Sequence, residues 1–179
     1  MKISTLVKDW ANRDTGHERV KGRYWASDLN NIRKGYLKPK DFFTKKLIDE
    51  RGSKNISSGI AFENMLTKIY KDMGVDVKCG EDQEKKVIKI AEGIELVVKP
   101  DFEFETYQME TKFPETYKDF DTIKESYKDQ LEAEYRATGK RTFLGYFTHP
   151  FGVFPIEYYP DDKRWEEIKQ MIIKFHSKL

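Results

Sequence analysis

A single cysteine, Cys79, stands among 179 residues. One thiol excludes an internal disulfide, and it excludes any zinc or iron–sulfur site built from several cysteines. Histidine is nearly as scarce: His17, His149 and His176 lie far apart, and no two have the helical spacing of a metal-binding pair. No apolar run approaches the roughly 20 residues that a membrane-crossing helix needs. The opening stretch MKISTLVKDWANRD turns polar too soon for a secretory signal. Low-complexity tracts and internal repeats are absent, which excludes a disordered or solenoid chain. These absences point to the reducing cytoplasm, with no membrane association, and to Cys79 as a free thiol in a turn.

What is present fits one compact domain. Apolar residues make up 38%, aromatics 14% and charged residues 36% of the chain, enough to bury a core beneath a heavily charged surface. The net charge is only +2, but it is unevenly spread: residues 1–54 hold 14 Lys or Arg against 7 Asp or Glu. The expected organisation is therefore a single domain over 1–179. Its basic, mainly helical N-terminal part is 1–54 and its core is 55–179. A basic third beside an acidic remainder suits a phosphate-facing surface next to a carboxylate site, and equally a solvated face.

Periodicity orders the elements. Ser27 or Asp28 can cap a short helix from Leu29, and Pro39 suits the first turn of another. Residues 51–55 read as a loop. Phe62, Met65, Leu66, Ile69, Tyr70 and Met73 recur at steps of three and four, which predicts a helix ended by Gly74. Strands are predicted over 85–91, 95–99, 102–104 and 107–112. A long helix with the stripe Phe120, Ile123, Tyr127, Leu131 and Tyr135 runs on to Gly139. Strands over 142–148 and 153–159 follow, and a last helix carries Trp165, Ile168, Ile172 and Phe175. The class is α/β, a central mixed sheet flanked by helices.

The informative stretch is Pro100-Asp101-Phe102-Glu103-Phe104-Glu105-Thr106-Tyr107-Gln108-Met109-Glu110-Thr111-Lys112. A hairpin turning at Glu105-Thr106 sets Phe102 against Met109, Phe104 against Tyr107 and Asp101 against Glu110. Phe102, Phe104, Tyr107 and Met109 then form an apolar face. Asp101, Glu103, Gln108, Glu110 and Lys112 share the polar one. Two carboxylates about 5 Å apart repel each other unless a cation lies between them. A hard divalent ion with oxygen ligands meets that need. The bland alternative is a half-exposed strand pair with solvated charges.

Asp101 followed by Glu110-Thr111-Lys112 on adjacent strands resembles the signature of the PD-(D/E)XK nuclease superfamily. Gly59-Ile60-Ala61-Phe62-Glu63 resembles the first motif of its RecB-like and lambda-exonuclease-like branches. Gln130-Leu131-Glu132-Ala133-Glu134-Tyr135 is similar to the Gln-and-Tyr helix of the RecB-like branch, with the pair five apart instead of four. Ala26–Lys34 resembles the opening of the CRISPR-associated RecB-like nucleases, without their iron–sulfur cysteines. The resemblance covers residues 26–148. It implies a restriction-endonuclease-like core and a Mg²⁺- or Mn²⁺-dependent deoxyribonuclease, with no iron–sulfur cluster. It also implies that Glu63, Asp101, Glu110 and a carbonyl near Thr111 hold the metal. Lys112 positions or activates water, and Gln130, Tyr135, Arg33 and Lys34 contact DNA. An exonuclease acting on DNA ends in recombination, repair or phage- or CRISPR-related processing is the implied activity. A non-catalytic DNA-binding protein on the same fold, or a site- or structure-specific endonuclease, is the alternative. Assembly into a homo-oligomer is left open.

Overall fold

The computed structural model describes residues 6, 19–44, 50–113, 120–148 and 152–179. His17 and His149 lie outside them. The elements run β1 (Arg23–Trp25), α1 (Leu29–Arg33), α2 (Glu50–Asp72), β2 (Lys78–Cys79), β3 (Lys86–Ala91), β4 (Ile94–Val98), β5 (Phe102–Glu103), β6 (Tyr107–Lys112), α3 (Phe120–Thr138), β7 (Arg141–Thr148), β8 (Gly152–Tyr158) and α4 (Asp162–His176). Short 3₁₀ turns occupy Ala26–Asp28, Pro39–Asp41 and Gly80–Asp82.

The α/β class and the mixed pairing are as expected, but the strands sort into two sheets instead of one. The first has the order β1-β4-β3, with β1 parallel and β3 antiparallel to β4. The second has the order β2-β5-β6-β7-β8, with β6 parallel to β7. A parallel pair needs a long crossover, which α3 supplies. Edge strand β8 carries Pro155 opposite Gly145, a position where a missing N–H costs no inner-sheet bond. The chain leaves the first sheet at Val98 and enters the second at Phe102. Asp101 therefore stands at the join.

Each sheet buries its own apolar layer. Tyr24, Leu29, Phe42, Leu96, Val98, Ile168 and Ile172 pack β1, β3 and β4 against α1 and α4. Phe102, Phe104 and Met109 pack against Leu66 of α2 and Cys79, while Leu144, Tyr146 and Tyr158 pack against Leu131 of α3.

Several local readings change. Residues 51–55 belong to α2 and are not a loop; a single glycine, Gly52, costs only about 1 kcal/mol in a helix held by its neighbours. Only the Phe62, Leu66 and Tyr70 line of the α2 stripe meets the core. Met65, Ile69 and Met73 are exposed. Cys79 is buried in β2 opposite Phe102, not in a turn. The Asp28 side chain makes no cap hydrogen bond to α1; it accepts the Trp25 N–H at 3.4 Å across the Ala26–Asp28 turn instead. Its carboxylate holds Arg19, at 2.8 Å in one of two contacts. Among the described residues of the N-terminal part, β1 joins the first sheet, and α2 runs across the 54/55 boundary.

One glycine is demanded by close approach. Gly22 has φ 84, and a Cβ there would stand 2.2 Å from the Gly93 carbonyl oxygen. Its own carbonyl accepts the Glu95 N–H at 2.7 Å. Gly22→Ala is expected to destabilise the fold by about 3 kcal/mol or more, since backbone must move to admit the methyl. Urea unfolding checks this, and an unshifted midpoint would refute the contact.

Candidate active site

The alternation of residues 101–112 produces the expected hairpin. Phe102 pairs with Met109 and Glu103 with Gln108, and the Phe104 N–H donates to the Tyr107 carbonyl at 2.9 Å. Burial of the apolar face against α2 selects this register, because a slip of one residue would turn every side chain over.

The polar face divides in two. Toward the turn it is structural: Gln108 is fully buried, donating to Thr142 Oγ1 at 2.8 Å and accepting from Thr138 Oγ1 at 3.0 Å. Glu103 holds Lys140 at 3.0 Å and Lys86 at 3.7 Å. At the other end Asp101, Glu110 and Lys112 come together. The Asp101 Oδ2 accepts both the Thr111 N–H, at 2.7 Å, and the Thr111 hydroxyl, at 2.6 Å. Thr111, expected to offer a carbonyl, thus also fixes Asp101. Lys112 Nζ donates to Glu110 Oε1 and lies 5.3 Å from the Tyr127 ring centre.

Helix α2 brings Glu63 to the same cleft and α3 brings Gln130. Asp101, Glu110, Glu63 and Gln130 line a cleft of about 250 Å³ together with Trp25, Gln83, Val97, Lys99 and Pro100. A Cβ at Gly59 would meet nothing within 4 Å, so packing does not explain the glycine of that motif. Tyr135 is half-buried with Arg136 5.7 Å from its ring centre. Tyr135, Arg33 and Lys34 are not among the cleft-lining residues. Arg33 is instead held by Asp129, at 3.1 Å in one of two contacts, and by Glu167 at 3.5 Å. Buried Asp129 draws it in, so the Arg33 guanidinium is paired within the fold.

One member of the cluster gave no signal in the sequence. Glu134, on α3, is completely buried among like charges. Among the described residues, Glu110 Oε2 and both Glu134 carboxyl oxygens are buried without a hydrogen-bonding N–H or hydroxyl. The two carboxyls face each other, so a shared proton is the hydrogen bond open to them. An acid in the charged run Lys128–Arg136 looks like a solvated face, and only the packing of α3 on β6 and β7 shows otherwise.

The electrostatics follow from crowding. Burial and then Glu110 push the Asp101 carboxyl up to about 8, against the opposing pull of Lys112. Burial and then Glu110 raise Glu63, with Lys112 and Lys99 offsetting. Burial first, then Glu110 and Asp101, raise Glu134 well above the usual carboxylate range. For Lys112, burial favours the neutral amine, but Glu110 and Asp101 outweigh it and keep the ammonium charged.

Glu63, Asp101, Glu110 and Glu134 supply hard oxygen donors, the chemistry Mg²⁺ or Mn²⁺ prefers. The orphaned oxygens of Glu110 and Glu134 are donors that a cation would satisfy. Among the described residues, however, no three such side chains are gathered closely enough to ligate one ion. Asp101 Oδ2 is committed to Thr111 and Glu110 Oε1 to Lys112. The donor set fits a divalent ion, while the present rotamers neutralise the site with Lys112 and protons.

No family model matches the chain, and no curated protein does. Among solved structures, an alkaline exonuclease from Laribacter hongkongensis is similar to it at 18% identity. That match covers 88% of each chain at a TM-score of 0.59. The structure of SSO0001 is similar at 15% identity, covering 98% of this chain and 85% of that one, with a TM-score of 0.69. At such identities the likeness is one of fold. The chain shares the α/β fold of these two structures. Among the described residues no helix is long and apolar enough to cross a membrane.

Proposed function

We propose that this protein is a Mg²⁺- or Mn²⁺-dependent deoxyribonuclease of the PD-(D/E)XK superfamily, RecB-like or lambda-exonuclease-like branch, acting on DNA ends. The observation that carries the reading is the cluster at the sheet join. There Asp101, Glu110 and the charged Lys112 lie within one hairpin, with Glu63 set over it from α2. The alkaline exonuclease among the structural neighbours supports an exonuclease reading.

In this reading Asp101, Glu110 and Glu63, with a carbonyl near Thr111, hold the ion. Bound there, a divalent ion lowers the pKa of water and offsets charge on the phosphate. Thr111 keeps Asp101 aimed into the cleft through two hydrogen bonds. Lys112 stays protonated and orients the attacking water or neutralises charge developing on the phosphate. Glu63, Lys99 and Gln130 line the cleft, and Lys34 supplies unspecific backbone contact. The location is cytoplasmic and the biological setting DNA recombination or repair.

End-labelled linear and closed circular DNA, each single- and double-stranded, test this with Mg²⁺, Mn²⁺ or EDTA. Metal-dependent loss of linear DNA with circles spared is expected. Circles cut as fast as linear DNA would make it an endonuclease. DNA binding without cutting under either metal would leave a binding protein on a nuclease fold.

A further inference from the structure

The cleft that holds the carboxylates is also lined by a buried side chain with no hydrogen-bond partner among the described residues. Gln83 follows the turn Gly80–Asp82 and is only 7% exposed. Its Oε1 and Nε2 are both buried with no hydrogen-bond partner among the described residues. A primary amide carries two donors and an acceptor with two lone pairs. Leaving these unmade costs about 1–3 kcal/mol for each group. Such an arrangement persists where something else meets the amide. Gln83 lines the same cleft as Glu63, Asp101 and Glu110, and Trp25, Val97, Pro100 and Lys99 line it too.

The dimensions limit what can enter. A volume of about 250 Å³ far exceeds the roughly 10–15 Å³ needed by one water. It falls short of the roughly 300–1,000 Å³ of drug-sized pockets. One nucleotide suits that space better than a duplex does. The lining supplies matching chemistry: carboxylates for a cation and its phosphate, a lysine, apolar and aromatic side chains, and an amide. Every nucleobase presents an adjacent hydrogen-bond donor and acceptor, and an amide that can turn over meets any of them. Aromatic and apolar walls accept a base face without choosing its identity.

We infer that this cleft is a subsite for a single unpaired nucleotide next to the bond being cut, with Gln83 hydrogen-bonding the edge of its base. The inference rests on the nuclease reading of the carboxylates. It makes the substrate a single-stranded or frayed end, held with little preference among the bases. Gln83 is a binding residue in this scheme, not one that acts on the phosphate.

The test pairs Gln83→Leu with an abasic nucleotide. Hydrolysis of a short single-stranded oligonucleotide is measured with Mn²⁺ for wild type and variant. The comparison is repeated with an abasic residue placed in turn at each of the first three positions from either end. The variant should lose about tenfold in kcat/KM on intact DNA, the scale of one good amide–base pairing. With the abasic residue at the position next to the cut, the wild-type-to-variant ratio should fall to about one. Because the substitution removes a buried unpaired amide, the melting temperature should hold or rise. An equal loss on intact and abasic DNA, or a fall in melting temperature, would mark Gln83 as structural and overturn the subsite. So would equal rates on intact DNA.

A wild type that cuts nothing would overturn the catalytic reading alone. The subsite is then decided by binding of a fluorescein-labelled oligothymidylate in Ca²⁺. A Kd raised about tenfold by Gln83→Leu on intact but not on abasic DNA supports it. Unchanged Kd values sink it.

Discussion

Asp101→Asn and Lys112→Ala should each lower metal-dependent cleavage by about 10³-fold or more, the scale at which removing one preorganised charge-stabilising group acts. Asp101→Asn keeps an acceptor for the Thr111 N–H and hydroxyl, so the hairpin should survive while a negative ligand is lost. Lys112→Ala is harsher, because it strands the buried Glu110 carboxylate that Lys112 now holds. Breaking one side of such a pair costs about 3–5 kcal/mol, so a loss of activity could reflect unfolding. The double variant Glu110→Gln with Lys112→Met separates the two causes. Removing both charges should recover most of the stability and none of the activity. Circular dichroism and single-turnover cleavage read these quantities side by side. Residual cutting within tenfold of wild type by a folded Asp101→Asn protein would remove Asp101 from the chemistry.

The second large effect is on stability, and its sign is set by the crowded acids. Asp101 (up to about 8), Glu63 and Glu134 all titrate higher in the folded protein than in the unfolded chain. With pH rising from about 4, the unfolded chain ionises first while the folded protein keeps its protons. Stability in EDTA is therefore expected to fall as pH rises from about 4 toward about 8. Lys112 titrates far above this window and adds a constant. Metal binding reverses the trend, because an ion needs the ionised carboxylates and competes with protons for them. Thermal melts should show a metal-free Tm lower at about pH 8 than at about pH 5, by an amount on the order of 10 °C. Mn²⁺ should restore more of it at the higher pH. Glu134→Gln should flatten the metal-free slope, since it removes an acid that is fully buried against Glu110. A metal-free Tm that rises over this range, with an equal Mn²⁺ shift at both ends, would contradict the account of the cluster.

How much of this was legible beforehand varies with the range of the interaction. The hairpin at 102–109 was readable because alternation is a local code: four apolar residues could share a face in one register only, and that register is the observed one. The long helix ending at Gly139 and the last helix with Ile168, Ile172 and Phe175 were readable for the same reason. Asp101, Glu110 and Lys112 followed from their places in that hairpin.

Glu134, Gln83 and Arg33 were not readable. Each lies among polar neighbours whose exposure is decided by what packs over them. Glu134 is buried because α3 crosses between β6 and β7. Arg33 is taken by Asp129, 96 residues away. Gln83 becomes a cleft wall only when the first sheet, through Val97, and the second, through Glu110, are set side by side. The division into two sheets is likewise a property of the folded chain, since strand signals say nothing about which edges meet. The sequence by itself determined the longer helices and strands, the hairpin register and the common face of three candidate site residues, because these depend on periods of two and 3.6 residues along the chain. Tertiary structure alone decided which charges lose their water. Desolvation depends on atoms brought together from distant segments, and it makes four carboxyls and one lysine an electrostatic unit.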